Sequence, residues 1–170
     1  MLLNHFSAVF LVASIGVFAV PFPEADESHG YGPSHRAPTL VDCLGNASVP
    51  ISLLSSPDFA QLAEAFNIRL PYTPAVIVLP TTPQHVSDAV KCASRSGVKV
   101  QAKSGGHSYA SYSSGGKNGS MIVDLESFQS ISVDSETGIA TVGGGVRLGN
   151  LALGIFNQAQ RALPHGTCPG

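Results

Sequence analysis

The feature that most constrains the fold is a strand, a helix and a second strand in direct succession. Ala75–Leu79 is an unbroken apolar run bounded by prolines, which is typical of a buried strand. Thr82 is a capping residue and Pro83 suits the first helical position, so together they predict a helix that ends near Gly97. The second strand is predicted at Val98–Ala102. This order indicates a right-handed βαβ unit with parallel strands.

A glycine-rich loop follows the second strand, and its sequence is Lys103-Ser-Gly-Gly-His-Ser-Tyr109. Adjacent glycines let a backbone approach a ligand closely, and successive N–H groups in such a turn can form a nest for an anion such as phosphate. His107 places an imidazole beside that nest. Ligands of α/β proteins usually bind at the carboxyl ends of strands, so we interpret this loop as the centre of a site. A tight turn with a surface histidine explains these residues equally well.

Other elements are predicted on both sides of the loop. They are a helix from Ser56 to about Asn67, a strand at Ser120–Leu125, a hairpin of Ile131–Val133 with Ile139–Val142, and a helix from about Arg147 to Gln158. The first helix would carry Phe59 and Phe66 on its apolar face. Residues 110–119 are small, polar and glycine-rich, which predicts a long loop over the site.

The charged residues near the loop have ordinary and functional interpretations. Lys103 and Arg147 could contact phosphate, although an exposed charge usually does nothing specific. Asp124 and Glu126 are interpreted as strand-end residues that provide solvation and capping.

The N-terminus is typical of a secretory signal. Residues 6–20 form a short apolar run, and Val17 and Ala19 occupy the small-residue positions before a cleavage site. A buried helix or a membrane anchor is the alternative, although the run is short for a bilayer span. We therefore expect a secreted protein with a signal peptide at 1–19, a flexible linker or propeptide at 20–39, and an ordered domain at 40–170.

Charge and cysteine content argue against several classes of function. The net charge of −2 provides no basic surplus for nucleic acid and no cationic patch for a membrane. The three cysteines lack CxxC spacing, and His165 with Cys168 makes only half of a metal site, so we expect no metal. In a secreted protein two cysteines can pair, which leaves one thiol over. Sequons at Asn46 and Asn118 are consistent with a glycoprotein.

The glycine segments do not fit the common nucleotide fingerprints. Gly143–Gly149 lacks GxGxxG in register, because Leu148 occupies the last glycine position. A Walker loop would need glycine at Ser111 and a hydroxyl residue at Asn118. A Rossmann dehydrogenase and a P-loop ATPase are therefore both disfavoured.

Three segments, taken in order with the βαβ unit, carry a resemblance to a known family. They are SGGHSY at 104–109, GGGVRLG at 143–149 and HGTCPG at 165–170. The chain resembles the FAD-binding domain of the vanillyl-alcohol oxidase/p-cresol methylhydroxylase superfamily, and within it the berberine-bridge-enzyme-like oxidases, especially secreted fungal oligosaccharide oxidases. The resemblance covers residues 40–170. It implies an α+β fold of the PCMH type, with an N-terminal βαβ subdomain and part of a second α+β subdomain.

The resemblance also implies a flavin site. The SGGHSY loop would wrap the FAD pyrophosphate, and His107 would be bonded to the 8α carbon of the flavin. The Cys168 sulfur would form a second bond, to C6 of the ring. The family disulfide would join Cys43 and Cys92, which gives the remaining thiol a role. The cofactor-binding residues implied in this way are Ser104, Gly105, Gly106, His107, Ser108, Tyr109, Gly166, Thr167, Cys168 and Gly170.

The implied function is that of an FAD-dependent oxidoreductase that oxidises a sugar or another alcohol. Hydride would pass to the covalently bound flavin, and oxygen would then accept the electrons. Family members extend well beyond Gly170, so we expect a truncated chain that is inactive alone. No residue within 1–170 is assigned as a catalyst. We expect the full-length protein to be a monomer.

Two alternatives share these motifs. The first is a secreted flavin- or glycan-binding module without catalytic activity. The second is an FAD dehydrogenase with another electron acceptor, which would differ from an oxidase in its reactivity with oxygen.

Overall fold

The computed structural model describes residues 39–167, which belong to one unit of the chain, 36–170. The predicted signal peptide, the predicted linker up to residue 38, Cys168 and Gly170 lie outside the described residues. The helices are Leu40–Asn46 (α1), Phe59–Leu62 (α2), Pro83–Arg95 (α3) and Leu148–Ala159 (α4). The strands are Ile51–Ser52 (β1), Val76–Val78 (β2), Val100–Lys103 (β3), Met121–Asp124 (β4), Ile131–Val133 (β5) and Ala140–Val142 (β6). A 3₁₀ helix at Tyr112–Ser114 lies between β3 and β4.

The central sheet has four strands in the order β1, β2, β4, β3. β2, β4 and β3 are parallel, whereas β1 is antiparallel to β2. Met121 of β4 lies opposite Val76 on one side and Val100 on the other. The parallel arrangement of the predicted βαβ strands is confirmed, but β4 separates them. All four residues of β4 are buried, as a strand in the middle of a covered sheet requires.

The two faces of the sheet are covered by different helices, because alternate residues of a strand point to opposite sides. Ile77 and Ile122 pack against Phe59 of α2 on one face. On the other face, α1 and α3 contribute to a cluster that contains Leu44, Val49, Val76, Val78, Ala89, Cys92, Ala93, Met121 and Val123. A disulfide joins Cys43 of α1 to Cys92 of α3, with a Cα–Cα distance of 5.7 Å. The observed pairing is the one that the resemblance implies.

The start and the end of α3 agree with the sequence prediction. The Thr82 hydroxyl accepts a hydrogen bond of 3.2 Å from the His85 N–H, and Pro83 occupies the first turn. Gly97 follows the helix with φ +66°, a conformation that glycine adopts without strain. Local capping chemistry therefore defines this helix.

The helix predicted from Ser56 to about Asn67 is wrong in its length, since α2 contains only Phe59–Leu62. The Asp58 carboxylate accepts a hydrogen bond of 2.8 Å from the Ser52 hydroxyl and does not cap the helix. The chain leaves the helix after Leu62, with Ala63 as the C-cap. Phe66 consequently does not join the core and is 52% exposed.

β5 and β6 form a separate antiparallel hairpin, as predicted. Its turn is held by Asp134, whose Oδ1 accepts a hydrogen bond of 2.8 Å from the Thr137 N–H. The hydrogen bonds with Thr137 hold the pKa of the Asp134 carboxyl below its ordinary value. α4 lies against β5, where Gln158 donates to the Ile131 carbonyl at 3.0 Å. Within residues 39–167, no helix is long and apolar enough to cross a bilayer.

Replacement of both Cys43 and Cys92 by alanine is expected to destabilise the full-length protein by about 4 kcal/mol at 25 °C, the entropy that a cross-link removes from the unfolded chain. The estimate reflects their separation of 49 residues. Urea unfolding measures the loss. Dithiothreitol should lower the stability of the wild type by a similar amount and leave the double variant unchanged. An unaltered unfolding midpoint in the double variant would contradict a stabilising role for the disulfide.

Candidate functional site

The site is built on the carboxyl ends of β3 and β4, where Lys103 and Asp124 lie opposite each other in the parallel ladder. The Lys103 ammonium is 3.4 Å from an Asp124 carboxylate oxygen, and it donates a hydrogen bond of 2.7 Å to the Leu62 carbonyl. The two side chains are only 15% and 5% exposed. Asp124 is thus a buried ion-pair partner and is not solvated as the sequence suggested. The expected capping is present, because its Oδ1 accepts a hydrogen bond of 3.0 Å from the Glu126 N–H. The Lys103 ammonium is engaged by protein groups.

The loop at 104–109 is anchored through its oxygen atoms. Its acceptors receive hydrogen bonds from the following 3₁₀ turn and from Asn67. The bonds run from the Ser113 hydroxyl to the Gly106 carbonyl (2.9 Å), from the Ser111 N–H to the Ser108 carbonyl (3.0 Å), from the Tyr112 N–H to the Ser108 hydroxyl (3.1 Å) and from Asn67 Nδ2 to the Tyr109 carbonyl (2.7 Å). Two separate parts of the chain therefore hold the loop in place.

Among the described residues, none of the bonds that anchor the loop comes from its own backbone N–H groups. Among residues 39–167, no acceptor receives a hydrogen bond from the backbone N–H groups of residues 105–109. Gly106 has φ +78°, which lies in the left-handed region. Successive free N–H groups in a turn of this kind form a concave site for an anion. The loop therefore has the donors that the phosphate-nest hypothesis requires.

Arg147 reaches this loop from the start of α4. Its Nη2 is 3.2 Å from a Glu126 carboxylate oxygen, in a pair whose side chains are 30% and 69% exposed. A Cβ atom on Gly105 would lie 2.8 Å from the Arg147 Nη1, so the guanidinium rests against the loop backbone. Guanidinium has five N–H donors, and within the described part of the chain only Glu126 accepts from Arg147. Arg147 is thus better placed than Lys103 to bind an anion.

The glycines at 143 and 145 allow this segment to pack directly on the end of β4. A Cβ atom on Gly145 would collide with the carbonyl oxygen of Leu125, the residue that follows β4. A Cβ atom on Gly143 would collide with the Phe128 carbonyl oxygen. Only glycine permits such a close approach of two backbones. The GGG sequence therefore positions Arg147 and α4 relative to the loop.

His107 is exposed and lies against an aromatic residue that the sequence placed elsewhere. The Phe66 ring is stacked on the His107 imidazole, with 5.1 Å between centroids and 23° between planes. Tyr109 meets Phe66 edge-on at 5.5 Å. The expectation that Phe66 belongs to a helix face concealed this contact. In the sequence, the position of Phe66 next to the turn-forming Asn67 is a weak indication that Phe66 belongs to the site.

Two open clefts meet at His107 and Phe66. One has a volume of about 460 Å³, and its other lining residues include Lys103, Gly105, Gly106, Glu126 and Arg147. The second has a volume of about 370 Å³, and its other lining residues are Tyr109, Leu148, Gly166 and Thr167. The structure thus brings the loop at 104–109 together with the segment that leads to Cys168. In residues 39–167, no cluster of three or more His, Cys, Asp or Glu side chains is placed to hold a metal ion.

Comparison with known proteins identifies the family. Residues 74–168 match the family model of an FAD binding domain. The chain belongs to this FAD-binding family. Xylooligosaccharide oxidase of Thermothelomyces thermophilus is 46% identical over 138 residues, which are 81% of this chain and 28% of that relative. This chain therefore spans just over a quarter of the length of that curated relative, and it matches the N-terminal part of such oxidases.

Solved structures of this FAD-binding family have the same fold. Xylooligosaccharide oxidase from Myceliophthora thermophila C1, in complex with xylobiose, matches with a TM-score of 0.74 and 46% identity over 77% of this chain and 28% of its own. Glucooligosaccharide oxidase from Acremonium strictum, studied for its 6-S-cysteinyl, 8α-N1-histidyl FAD, has a TM-score of 0.73 and 40% identity over 77% and 27%. BBE-like 1 of Physcomitrella patens gives 0.67 and 38% over 70% and 26%. The predicted family and its PCMH-type fold are confirmed.

The residues of the site fit FAD. The free N–H groups at 105–109 suit the pyrophosphate, because phosphate oxygens accept hydrogen bonds from such a nest. Arg147 adds a cation beside Gly105. His107 presents an exposed imidazole in both clefts.

Replacement of Lys103 by methionine is expected to destabilise the full-length protein by about 3–5 kcal/mol, because Asp124 would remain as an uncompensated buried charge. The double variant Lys103→Met/Asp124→Leu should recover much of this loss. Glu126→Gln breaks the exposed pair with Arg147 and should cost no more than about 1 kcal/mol. Urea unfolding of the three variants measures these differences. A Lys103→Met protein as stable as the double variant would contradict a buried ion pair.

Proposed function

We propose that this chain is the FAD-binding part of a carbohydrate oxidase whose flavin is tethered by His107 and Cys168. The main support for this proposal is the cleft that His107 lines together with Gly166 and Thr167. Cys168 directly follows Thr167 in the sequence, which supports a role for both proposed tethers at one site. The solved relative from Acremonium strictum, with its cysteinyl and histidyl FAD, supports the same pair of attachments.

The residues of the site would bind and orient the cofactor. The N–H groups at 105–109 would donate to the pyrophosphate oxygens, with the Ser104 and Ser108 hydroxyls beside them. Arg147 would offset the phosphate charge, because its guanidinium lies against Gly105. Gly166, Thr167 and Gly170 would contribute to cofactor binding beside Cys168.

FAD supplies the hydride acceptor for oxidation of an alcohol. His107 and Cys168 would keep the cofactor in place although the clefts are open to solvent, which leaves room for a bulky substrate. The names of the relatives, a xylooligosaccharide and a glucooligosaccharide oxidase, support a sugar as the substrate and oxygen as the electron acceptor. No residue within 1–170 is proposed as the acid–base catalyst.

We also propose that the protein is secreted, with a signal peptide at 1–19. The disulfide between Cys43 and Cys92 supports an oxidising compartment, because such bonds are rare where thiols are kept reduced.

The tethers can be tested by removing them singly and together in the full-length protein. His107→Ala and Cys168→Ala should each retain yellow flavin in the acid-precipitated protein, since one bond remains in either variant. The double variant should release all of its flavin into the supernatant. His85→Ala, a histidine of α3 outside both clefts, serves as the control and should keep both bonds. Release of flavin from the wild type would contradict covalent attachment.

The substrate class has a separate test. Xylo- and glucooligosaccharides added to the full-length protein under air should produce hydrogen peroxide in proportion to the sugar consumed. Reduction of the flavin by these sugars without peroxide would instead indicate a dehydrogenase with another electron acceptor.

A further inference from the structure

Among the described residues, the imidazole of His107 is contacted on the face of its ring and not through hydrogen bonds to its ring nitrogens. Phe66 stacks on the ring at 5.1 Å with an angle of 23°. Neither ring nitrogen of His107 has a hydrogen-bond partner among residues 39–167. Histidine side chains that serve as ligands or nucleophiles are commonly oriented by a hydrogen bond to the second nitrogen. The contact to the imidazole that the described residues provide instead is the stack on Phe66.

Phe66 is itself fixed relative to the loop that carries His107. The Tyr109 ring meets it edge-on, at 5.5 Å and 77°. The next residue, Asn67, donates from Nδ2 to the Tyr109 carbonyl at 2.7 Å and accepts from the Arg69 N–H at 3.1 Å. The turn that carries Phe66 is thus bonded to the loop, although the Phe66 side chain is 52% exposed.

We propose that Phe66 is a positioning residue for the formation of the bond between His107 and the flavin. The stack restricts the tilt of the imidazole, so the ring is held in one plane beside the loop, where it would meet the flavin. Without the stack, the exposed side chain samples several rotamers, and only a fraction of them is productive. This inference rests on the proposed function.

The bond-forming step involves His107 and not Phe66. The imidazole nitrogen loses its hydrogen and the 8α carbon loses one hydrogen as the new N–C bond forms. In sum, two protons and two electrons leave, and dioxygen takes them up as hydrogen peroxide. Phe66 acts only through the orientation of His107. The bond to Cys168 is made by a different side chain and therefore provides an internal control.

The test measures adduct formation in the full-length protein, expressed without flavin and then mixed with FAD under air. Peptide mass spectrometry follows the adducts at His107 and at Cys168 over time. In Phe66→Leu the His107 adduct should form about three- to tenfold more slowly, the range that an aromatic pair supplies, while the Cys168 adduct forms at the wild-type rate. Phe66→Tyr keeps the ring and should restore the rate at His107.

Two further variants separate positioning from a loss of folding. Leu54→Ala is the control, since Leu54 is 73% exposed and lines neither cleft, and both of its rates should equal those of the wild type. Phe66→Met keeps the volume without the ring and replaces Phe66→Leu in the comparison if thermal unfolding shows that the leucine variant does not fold. An unchanged rate at His107, or equal slowing at both adducts, overturns the positioning role. A wild type without any His107 adduct overturns the proposed function instead.

Discussion

The ion pair between Lys103 and Asp124 is the contact on which the arrangement of the site depends. It joins the last residues of two neighbouring parallel strands, and the Leu125 N–H donates to the Lys103 carbonyl at 2.8 Å just beyond it. The loop at 104–109 starts on one side of this pair. The GGG segment packs against Leu125 on the other side. The two segments that would enclose the cofactor thus both lie next to the Lys103–Asp124 pair. The opposite charges of this pair compensate each other within the protein.

The oxygen atoms and the N–H groups of the loop at 104–109 have different roles. Its oxygen atoms are bonded to the 3₁₀ turn and to Asn67, whereas its N–H groups from 105 to 109 donate to no acceptor in the described part of the chain. A loop held in this way need not reorganise when an anion binds, because the donors are already in place. The proposed role of Phe66 extends the same principle to His107, since its ring stacks on the imidazole and no residue in the range 39–167 is hydrogen-bonded to the ring nitrogens. The donors and the proposed nucleophile are therefore preorganised together.

The sequence predicted what local chemistry decides and missed what distant contacts decide. Thr82 and Pro83 define the start of α3 through groups within one turn, and the hairpin likewise contains its own turn chemistry. The insertion of β4 between β2 and β3 has no local signal, because strand order depends on pairing across the sheet. The bond between Ser52 and Asp58 joins residues outside α2, and the end of α2 at Leu62 has no glycine or proline to indicate it, so the position of Phe66 outside a helix was missed. The resemblance indicated the cofactor loop, but Phe66 lies outside its motifs.

A crystal structure of the full-length, flavin-loaded protein would show whether the loop at 104–109 binds the pyrophosphate and whether His107 and Cys168 hold the flavin. We expect pyrophosphate oxygens to accept hydrogen bonds from the N–H groups of residues 105–109, at about 2.7–3.2 Å. We also expect continuous density from His107 to the 8α carbon and from Cys168 to C6 of the flavin. A pyrophosphate bound elsewhere, with the N–H groups of the loop unoccupied, would contradict this proposal.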